Sequence, residues 1–473
     1  MMNMLNTIWD FLLNDDIGRV IGVITGLITI IGVPFAIIKG IISCCKKRKA
    51  KAEKAKEEEL KQKEKEQEAQ WRQQVLQNQS QIIEQTKQTP AADASKELID
   101  EASFILDIVD SLPPADYFFL KAYVSQNRKE YEIAIGFYEK AIELNPDLAE
   151  AYGNMGNTYG DWKQDYETAI KCYEKVIELK PDLVVAYNNM GNAYAVGMQQ
   201  YEKAIECYNK AIELNPDLAV AYYNMGNAYG NWNEQYQKAI ECYEKAIELN
   251  PDYAEAYYNM GIAYKDWNGQ YEKAIKCYDK AVKADPNKAA AYHNMGNAYS
   301  DWNGQYEKAI ECYEKAIELN PNDAEAYYNM GIAYKDWNGQ YEKAIECYKK
   351  AIKVNPDYAE AYHNMGTAYS AWNGQYKKAI ECFEKAIDLN PDLAAAYNNM
   401  GFAYRQWKRQ YKKAIECFEK AIDLNPDDAV VYLNMGAAYA ESGNEKKSIE
   451  CLKKAAELGY EPAEQWLKDN NIQ

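Results

Sequence analysis

Apolar residues recur with a helical period through most of the chain. In the unit AEAYYNMGIAYKDWNGQYEKAIECYKKAIKVNPDY, residues 324–358, Tyr327, Met330 and Tyr334 fall at i, i+3 and i+7, the spacing of one face of an α-helix. Small, apolar and aromatic residues within 344–351 repeat this pattern. The unit therefore predicts two amphipathic helices that are separated by the polar run DWNGQ and closed by a proline.

The unit repeats with a period of 35 residues. Long periods of this kind are the signature of repeat architectures. We predict ten units: residues 115–148, eight units of 35 residues over 149–428, and residues 429–462, with a cap at 463–473. The closing prolines that define the period are Pro146, Pro181, Pro216, Pro251, Pro286, Pro321, Pro356, Pro391 and Pro426.

These units closely resemble the tetratricopeptide repeat (TPR), in which an aromatic residue, a leucine-like residue, small-residue contacts and a closing proline recur at these spacings. The resemblance implies an all-α fold, an α-α superhelix of helical hairpins whose first helices line a concave groove. The first and last units have the usual 34 residues of the family, whereas the eight middle units carry one extra residue between their helices.

The extra residue falls in the run around a recurring tryptophan. The stretch AYKDWNGQYEKAI occurs twice, at 263–275 and 333–345, and among the eight middle units the tryptophan is absent where VGM stands at 196–198. Glycine in this run suits a left-handed helix stop, although other residues replace it in some units. We interpret the run as a joint whose tryptophan seals the hairpin; the alternative is a solvent-facing ridge that binds partners. The glycines are Gly269, Gly304, Gly339 and Gly374, and the replacements are Gln164, Glu234 and Arg409.

One polar residue recurs on the predicted first helices. A side-chain amide offers two donors and an acceptor, which suits contact with the backbone of an extended peptide. Similar asparagine ladders make such contacts in tetratricopeptide and armadillo relatives; the other interpretation is that asparagine is simply favoured there in the family consensus. The sixth place of the unit is Asn154, Asn189, Asn224, Asn259, Asn294, Asn329, Asn364, Asn399 and Asn434, which we call the asparagine ladder.

The fifth place of the unit varies more, and we expect it to carry selectivity for the peptide. The ninth place alternates as well, with isoleucine at 262 and 332 against Asn297 and Thr367, so that the middle units look like a duplicated pair. The groove lysines that clamp a chaperone's C-terminal carboxylates in some tetratricopeptide domains are missing at the fifth and sixth places. The candidate fifth-place residues are Tyr223, Tyr258, His293, Tyr328 and His363.

The N-terminal part has a different character. Residues 20–38 contain no charge and a basic run begins at Lys46, so we predict a short N-terminal segment at 1–19 and a single transmembrane helix at 20–45. The positive-inside rule places the N-terminus outside and the repeats in the cytosol. One alternative is that residues 41–44, which resemble a bacterial lipoprotein cleavage site, put the repeats outside the cytosol. Within the predicted span, Gly22 and Gly26 match a helix-dimerisation pattern, although glycines are also common in membrane helices by chance.

Residues 46–94 are rich in lysine, glutamate and glutamine. Their aliphatic residues are too sparse for sustained heptads, so a coiled coil is possible but a solvated, partly helical stalk fits better. Residues 95–114 have the apolar spacing of an amphipathic helix and are predicted to cap the repeats.

Composition narrows the function classes. The net charge of −18 argues against nucleic acid and favours a neutral or basic polypeptide partner. Only two histidines are present, and no catalytic or metal motif is found, so we expect no enzyme activity, cofactor or metal. The eleven cysteines mostly recur once per unit, a spacing that predicts small buried side chains rather than disulfides.

These observations lead to a first hypothesis, a membrane-anchored scaffold or adaptor that binds extended peptide segments in the groove of a TPR superhelix. The alternative is a self-associating structural or assembly factor at the membrane, a possible homo-oligomer without a peptide ligand.

Overall fold

The computed structural model describes residues 35–108, 112–470 and 472, and these residues divide into two compact units, one ending at Pro181 and one beginning at Asp182. The predicted all-α solenoid of helical hairpins is confirmed, because the described part of the chain contains helices and turns and no strand. We describe each unit by itself.

Unit 1 begins with a long helix, α1 (Phe35–Gln77). The predicted segment 1–19 and most of the predicted membrane span lie outside the described residues. Residues 35–45 of that span form the start of α1. No helix in the described ranges combines the length and the apolar character that crossing a bilayer requires.

The residues of the predicted stalk, 46–94, differ in exposure along the chain. Leu60 is 59% exposed, and Lys61 forms an i,i+4 ion pair with Glu57. Farther along, Val75 and Ile82 are buried in the core of unit 1, with Trp71 packed against it. Residues 71–94 are therefore part of the folded unit, because their few apolar side chains meet the first hairpin.

Three short elements connect α1 to the repeats: α2 (Gln79–Gln88), a 3₁₀ turn at Ala91–Asp93 and α3 (Lys96–Ile108). Two hairpins complete unit 1. They consist of α4 (Pro114–Asn127), α5 (Tyr131–Leu144), α6 (Ala149–Thr158), which continues into a π-helical turn at Tyr159–Lys163, and α7 (Tyr166–Leu179).

Unit 2 contains eight further hairpins and a final helix. Its first hairpin again has a π-helical turn, at Ala193–Gly197. The helices are α8 (Val184–Asn192), α9 (Tyr201–Leu214), α10 (Ala219–Asn231), α11 (Tyr236–Leu249), α12 (Ala254–Asp266), α13 (Tyr271–Ala284), α14 (Ala289–Asp301), α15 (Tyr306–Leu319), α16 (Ala324–Asp336), α17 (Tyr341–Val354), α18 (Ala359–Ala371), α19 (Tyr376–Leu389), α20 (Ala394–Gln406), α21 (Tyr411–Leu424), α22 (Ala429–Glu441), α23 (Glu445–Glu457) and the cap α24 (Glu461–Asp469).

Within a hairpin, an aromatic ring of the second helix lies on a glycine of the first. Tyr348 is fully buried, and a Cβ added to Gly331 would lie 2.6 Å from its ring. Such a distance is too short for a side chain, so only glycine permits this approach of α16 and α17. Burial of one such ring contributes roughly 3 kcal/mol, and the contact recurs along unit 2.

The joint between the helices uses two successive left-handed residues. Asn268 and Gly269 have φ of 58° and 61°, and the Gln270 N–H donates to the carbonyl of Tyr264, six residues back, at 3.0 Å. In the last, 34-residue repeat, the Asn444 N–H donates only five residues back. The turn that this hydrogen bond closes therefore contains one more residue in the middle repeats than in the last repeat.

Other residues of the DWNGQ run also have structural roles. The Gln270 side-chain N–H donates to the Trp267 carbonyl at 3.0 Å, which satisfies an acceptor left open at the helix end. Trp267 is partly buried against the core, as the hairpin-seal interpretation predicts, while Trp162 is 37% exposed. The interpretation of the run as a joint fits this geometry.

Candidate functional site

The asparagine ladder lies on the first helices, one side chain per repeat. In unit 2, seven consecutive members from Asn224 to Asn434 donate their Nδ2 to the residue 36 positions earlier, which is the fifth place of the preceding repeat. The donor groups of the ladder thus join neighbouring repeats. The acceptors are Asn188 Oδ1, Tyr223 Oη, Tyr258 Oη, His293 Nε2, Tyr328 Oη, His363 Nε2 and Asn398 Oδ1.

Some ladder amides reach two acceptors. Asn259 Nδ2 lies 3.1 Å from Tyr223 Oη and 2.8 Å from Asn227 Oδ1. Asn329 Nδ2 lies 3.2 Å from His293 Nε2 and 3.1 Å from Asn297 Oδ1. In the described part of unit 2, no group donates to the Oδ1 atoms of the seven amides from Asn224 onward, and these side chains are partly exposed.

The first two ladder members differ. Asn154 of unit 1 is 5% exposed, and its Oδ1 accepts from the Ala91 N–H at 3.4 Å. Its side chain therefore supports the fold of unit 1 and offers little surface. In unit 2, Asn189 is partly exposed, and its Oδ1 lies 3.4 Å from Asn188 Nδ2.

Besides the ladder, the fifth-place residues contact the last residue of their own unit, where the chain enters the next first helix. The rings of Tyr223 and Tyr253 lie 4.9 Å apart, and the Lys288 ammonium lies 5.1 Å from the centre of the Tyr258 ring. These residues, which the sequence suggested for ligand selectivity, are matched to partners 30 positions later. Much of the variation in residue type at the fifth place therefore matches the residue that each side chain contacts between repeats.

His293 forms a polar junction of its own. Because Asn329 donates to Nε2, the ring carries its proton on Nδ1, which donates to Asp323 Oδ2 at 3.0 Å. Burial tends to raise the pKa of the Asp323 carboxyl, but the hydrogen bonds from His293 and from the Ala326 N–H outweigh it and hold that pKa below its usual value. Asp323 thus stays ionised while it caps α16.

A second network, which sequence reasoning missed, joins the ninth place to the second helix. Tyr208, Tyr243 and Tyr313 donate their hydroxyls to the asparagines 16 positions earlier, at 2.7–2.8 Å. Where that place is Ile262 or Ile332, the matching tyrosine hydroxyl is buried and has no partner among the residues that the structure describes. The sequence carried a signal for this network, because the residue types at positions 16 apart vary together. Phenylalanine replaces the tyrosine at 383 and 418, where the ninth place is threonine or phenylalanine.

The recurring cysteines offer no reactive site. The nine in the described repeats, Cys172 through Cys451, are buried and free, as the spacing predicted. Burial raises the pKa of the Cys347 thiol to about 12. In the same part of the chain, no three His, Cys, Asp or Glu side chains cluster as a metal site would require.

Models of known families match the repeats. A TPR repeat model matches residues 163–197, 198–231, 233–266, 268–301, 303–336, 338–371 and 373–406. Three further tetratricopeptide repeat models match residues 392–459, 137–171 and 115–148. Among curated proteins, no match is found.

Several solved structures are similar over part of the chain. YrrB, described as a TPR protein with an unusual peptide-binding site, is 31% identical over 41% of this chain and 96% of its own, with a TM-score of 0.36. MamA from Desulfovibrio magneticus RS-1 is 29% identical over 36% of this chain and 94% of its own, at 0.34. Yeast Tom70 is 18% identical over 74% of this chain and 93% of its own, at 0.34. The repeat matches cover half of the chain and establish that it belongs to the tetratricopeptide repeat family.

Proposed function

We propose that the protein is a membrane-anchored scaffold that holds an extended polypeptide segment along the first helices of unit 2. The observation that carries this proposal is the row of seven partly exposed asparagine side chains from Asn224 to Asn434, one per repeat, whose Oδ1 atoms accept no hydrogen bond from the described residues. The Nδ2 atoms are engaged between repeats, which fixes the orientation of the amides. The oxygens are then available to accept hydrogen bonds from backbone N–H groups of a bound segment.

The spacing of the row suits an extended chain. Packed helices lie about 8–10 Å apart, and an extended peptide rises about 3.3 Å per residue. A segment that crosses the first helices would therefore present an N–H group to the ladder about every third residue. Oriented acceptors of this kind cost little ordering entropy when the segment binds.

The charges of this face favour a neutral or basic segment. Glu325 and Glu360 lie at the exposed start of their first helices and form no ion pair with described residues, whereas Glu255 pairs with Lys288 at 3.1 Å. A basic side chain near Glu325 or Glu360 would gain a partner, and an acidic one would be repelled.

The anchor in the proposal rests on residues 20–45, with the repeats on the cytosolic side. The uncharged run at 20–38 and the basic residues behind it support this orientation. Between this anchor and Trp71, which packs against the core of unit 1, residues 46–70 of helix α1 would span about 38 Å. This part of the helix would hold the repeats away from the bilayer.

The decisive experiment uses two matched triple variants of the full-length chain in lipid nanodiscs. Peptides are first selected with the wild type from a random 15-residue library, and their affinities are then measured by calorimetry. Asn259→Ala, Asn294→Ala and Asn364→Ala together remove both the oxygens and the inter-repeat bonds. Tyr223→Phe, Tyr258→Phe and Tyr328→Phe together remove the tyrosine acceptors of those three amides and leave their oxygens in place.

We expect the alanine triple to lose at least about tenfold in affinity, which is 1.4 kcal/mol, and the phenylalanine triple to bind nearly as well as the wild type. Unchanged binding by the alanine triple would refute the ladder as the contact surface. An equal loss in both triples would show that binding depends on repeat packing instead.

The anchor has its own test. An impermeant protease added to intact cells should leave the repeats uncut, and alkaline carbonate should fail to extract the protein from membranes. Release by carbonate would exclude the anchor, and digestion of the repeats from outside would reverse the proposed orientation.

A further inference from the structure

One cavity of unit 2 lies beside the joint that lacks the tryptophan. It has a volume of about 290 Å³ and lies between the first repeat of unit 2 and α10. Gly197 stands there in place of tryptophan, and the first helix ends in the π-helical turn Ala193–Gly197. Only Gln199 of this joint is left-handed, with φ of 52°, whereas most later joints have two such residues.

The cavity walls are rich in amides and carry no charged residue. Asn192 and Asn227 line it, and each Oδ1 already accepts a tyrosine hydroxyl, at 2.7 Å and 2.8 Å. Asn224 also lines it, and its Nδ2 donates to Asn188 at 3.1 Å. The unused groups among these described side chains are two Nδ2 donors and one Oδ1 acceptor.

Next to the cavity, a partly buried glutamine also has an unsatisfied oxygen. In later repeats the equivalent glutamine donates to the tryptophan carbonyl, as Gln235 does to Trp232 at 3.2 Å. Gln200 makes no such bond, and its Oε1 is buried without a partner among the described residues. Its neighbours Gln199 and Tyr201 line the cavity. Several polar groups without a hydrogen-bond partner among the described residues therefore lie around this joint.

We propose that this cavity is a specificity pocket for the carboxamide side chain of a glutamine or asparagine in the bound polypeptide. This inference rests on the proposed function, because the polypeptide must lie along the same face. A carboxamide is neutral and has both an acceptor and donors, which matches the two donors and one acceptor of the wall. Its methylene stem would lie against Ala195, Val196 and Ala228.

Other side chains fit less well. A carboxylate or ammonium group would be desolvated without an opposite charge in the cavity wall, which disfavours its binding. An aliphatic side chain would leave the donors of Asn192 and Asn227 unpaired, which costs free energy when they lose contact with water. The chemistry of the wall therefore selects against both classes.

The first test variant fills the cavity with the joint that the protein uses elsewhere. Val196→Asp, Gly197→Trp, Met198→Asn and Gln199→Gly, made together, recreate the DWNGQY sequence without changing the repeat length. The second variant, Asn227→Asp, keeps an acceptor for Tyr243 and for Asn259 and turns the Nδ2 donor into a carboxylate oxygen. It needs no rearrangement of the joint.

All three proteins, as full-length chains in nanodiscs, select peptides from the same random 15-residue library. We expect the wild-type pool to be enriched in glutamine or asparagine at one aligned position, the joint graft to lose that enrichment, and Asn227→Asp to replace it with lysine or arginine. Enrichment that persists in both variants would overturn the pocket. So would a wild-type pool of binding peptides without a carboxamide position, which leaves the scaffold proposal intact. No selected peptide at all would refute the scaffold proposal and the pocket with it.

Discussion

Tyr313 donates its hydroxyl to Oδ1 of Asn297 at 2.7 Å, across the hairpin formed by α14 and α15. In the preceding hairpin, Ile262 packs against the core cluster that contains Tyr278. The Tyr278 hydroxyl is buried and has no partner in the described chain. Repeats with nearly the same sequence therefore differ in whether a buried hydroxyl is satisfied, and this difference has a measurable cost.

Replacement of Ile262 with asparagine should stabilise the array. The new amide would accept from Tyr278 in the geometry that Asn297 and Tyr313 already show, and satisfying a buried hydroxyl gains about 1 kcal/mol or more. The urea midpoint of unfolding, followed by far-UV circular dichroism, should rise.

The reverse change, Asn297→Ile, is the matched control. It leaves the Tyr313 hydroxyl without its acceptor and removes one acceptor of Asn329. The urea midpoint of unfolding should therefore fall. Equal midpoints for both variants and the wild type would show that these hydroxyls contribute nothing to stability.

The joints predict a second set of stability changes. Glu234 and Arg409 have φ of 56° and 53° at the place where Gly339 has 64°, and a side chain in this region costs about 1–2 kcal/mol. Glu234→Gly and Arg409→Gly should each raise the urea midpoint, although the greater freedom of glycine in the unfolded chain offsets part of the gain. Gly339→Ala should lower it, and a rise in that variant would contradict the assignment of strain to this place.

Mild acid should weaken the junction at His363. Burial, with a smaller contribution from Lys335, lowers the pKa of the imidazole, whereas Glu360 opposes the shift. The ring accepts from Asn399 through Nε2 at 2.9 Å. The unfolded chain therefore binds the proton first, and stability is lost as the pH falls below about 6.5.

Substitution of His363 with tyrosine isolates this effect. Tyr258 and Tyr328 show that a tyrosine hydroxyl accepts from the ladder at this place. The drop in urea midpoint between pH 7.5 and pH 5.5 should be smaller in the variant than in the wild type. Identical drops would assign the acid sensitivity to other groups.

Thiol reactivity offers a fourth prediction. Burial raises the pKa of Cys312 and Cys382 to about 12, so these thiols should not react with Ellman's reagent at pH 8 in the folded protein. The measurement uses a chain with Cys44→Ser and Cys45→Ser. Colour should develop only in urea above the unfolding midpoint, and rapid labelling in buffer would show that the hairpins open.

Much of this structure could be predicted from particular residues. The closing prolines and the stripe through Tyr327, Met330 and Tyr334 located the helices, and Gly269 located the left-handed joint. The packing of Val75 and Ile82 into unit 1 was not predictable, because isolated apolar residues in a charged segment carry no period. The partners of the ladder donors also escaped prediction, since they lie 36 residues away in the sequence.

The sequence by itself determined the helices, their period and the family, because these depend on local spacing and on which residues can pack at short range. The tertiary structure decided how the polar groups are used. Asn259 meets Tyr223 and Asn227 only once two first helices lie side by side, and the cavity near Gly197 exists only because a neighbouring repeat supplies its far wall. Hydrogen bonds between repeats depend on distances that folding creates, and these distances leave the Oδ1 atoms of the ladder from Asn224 onward without a donor among the described residues.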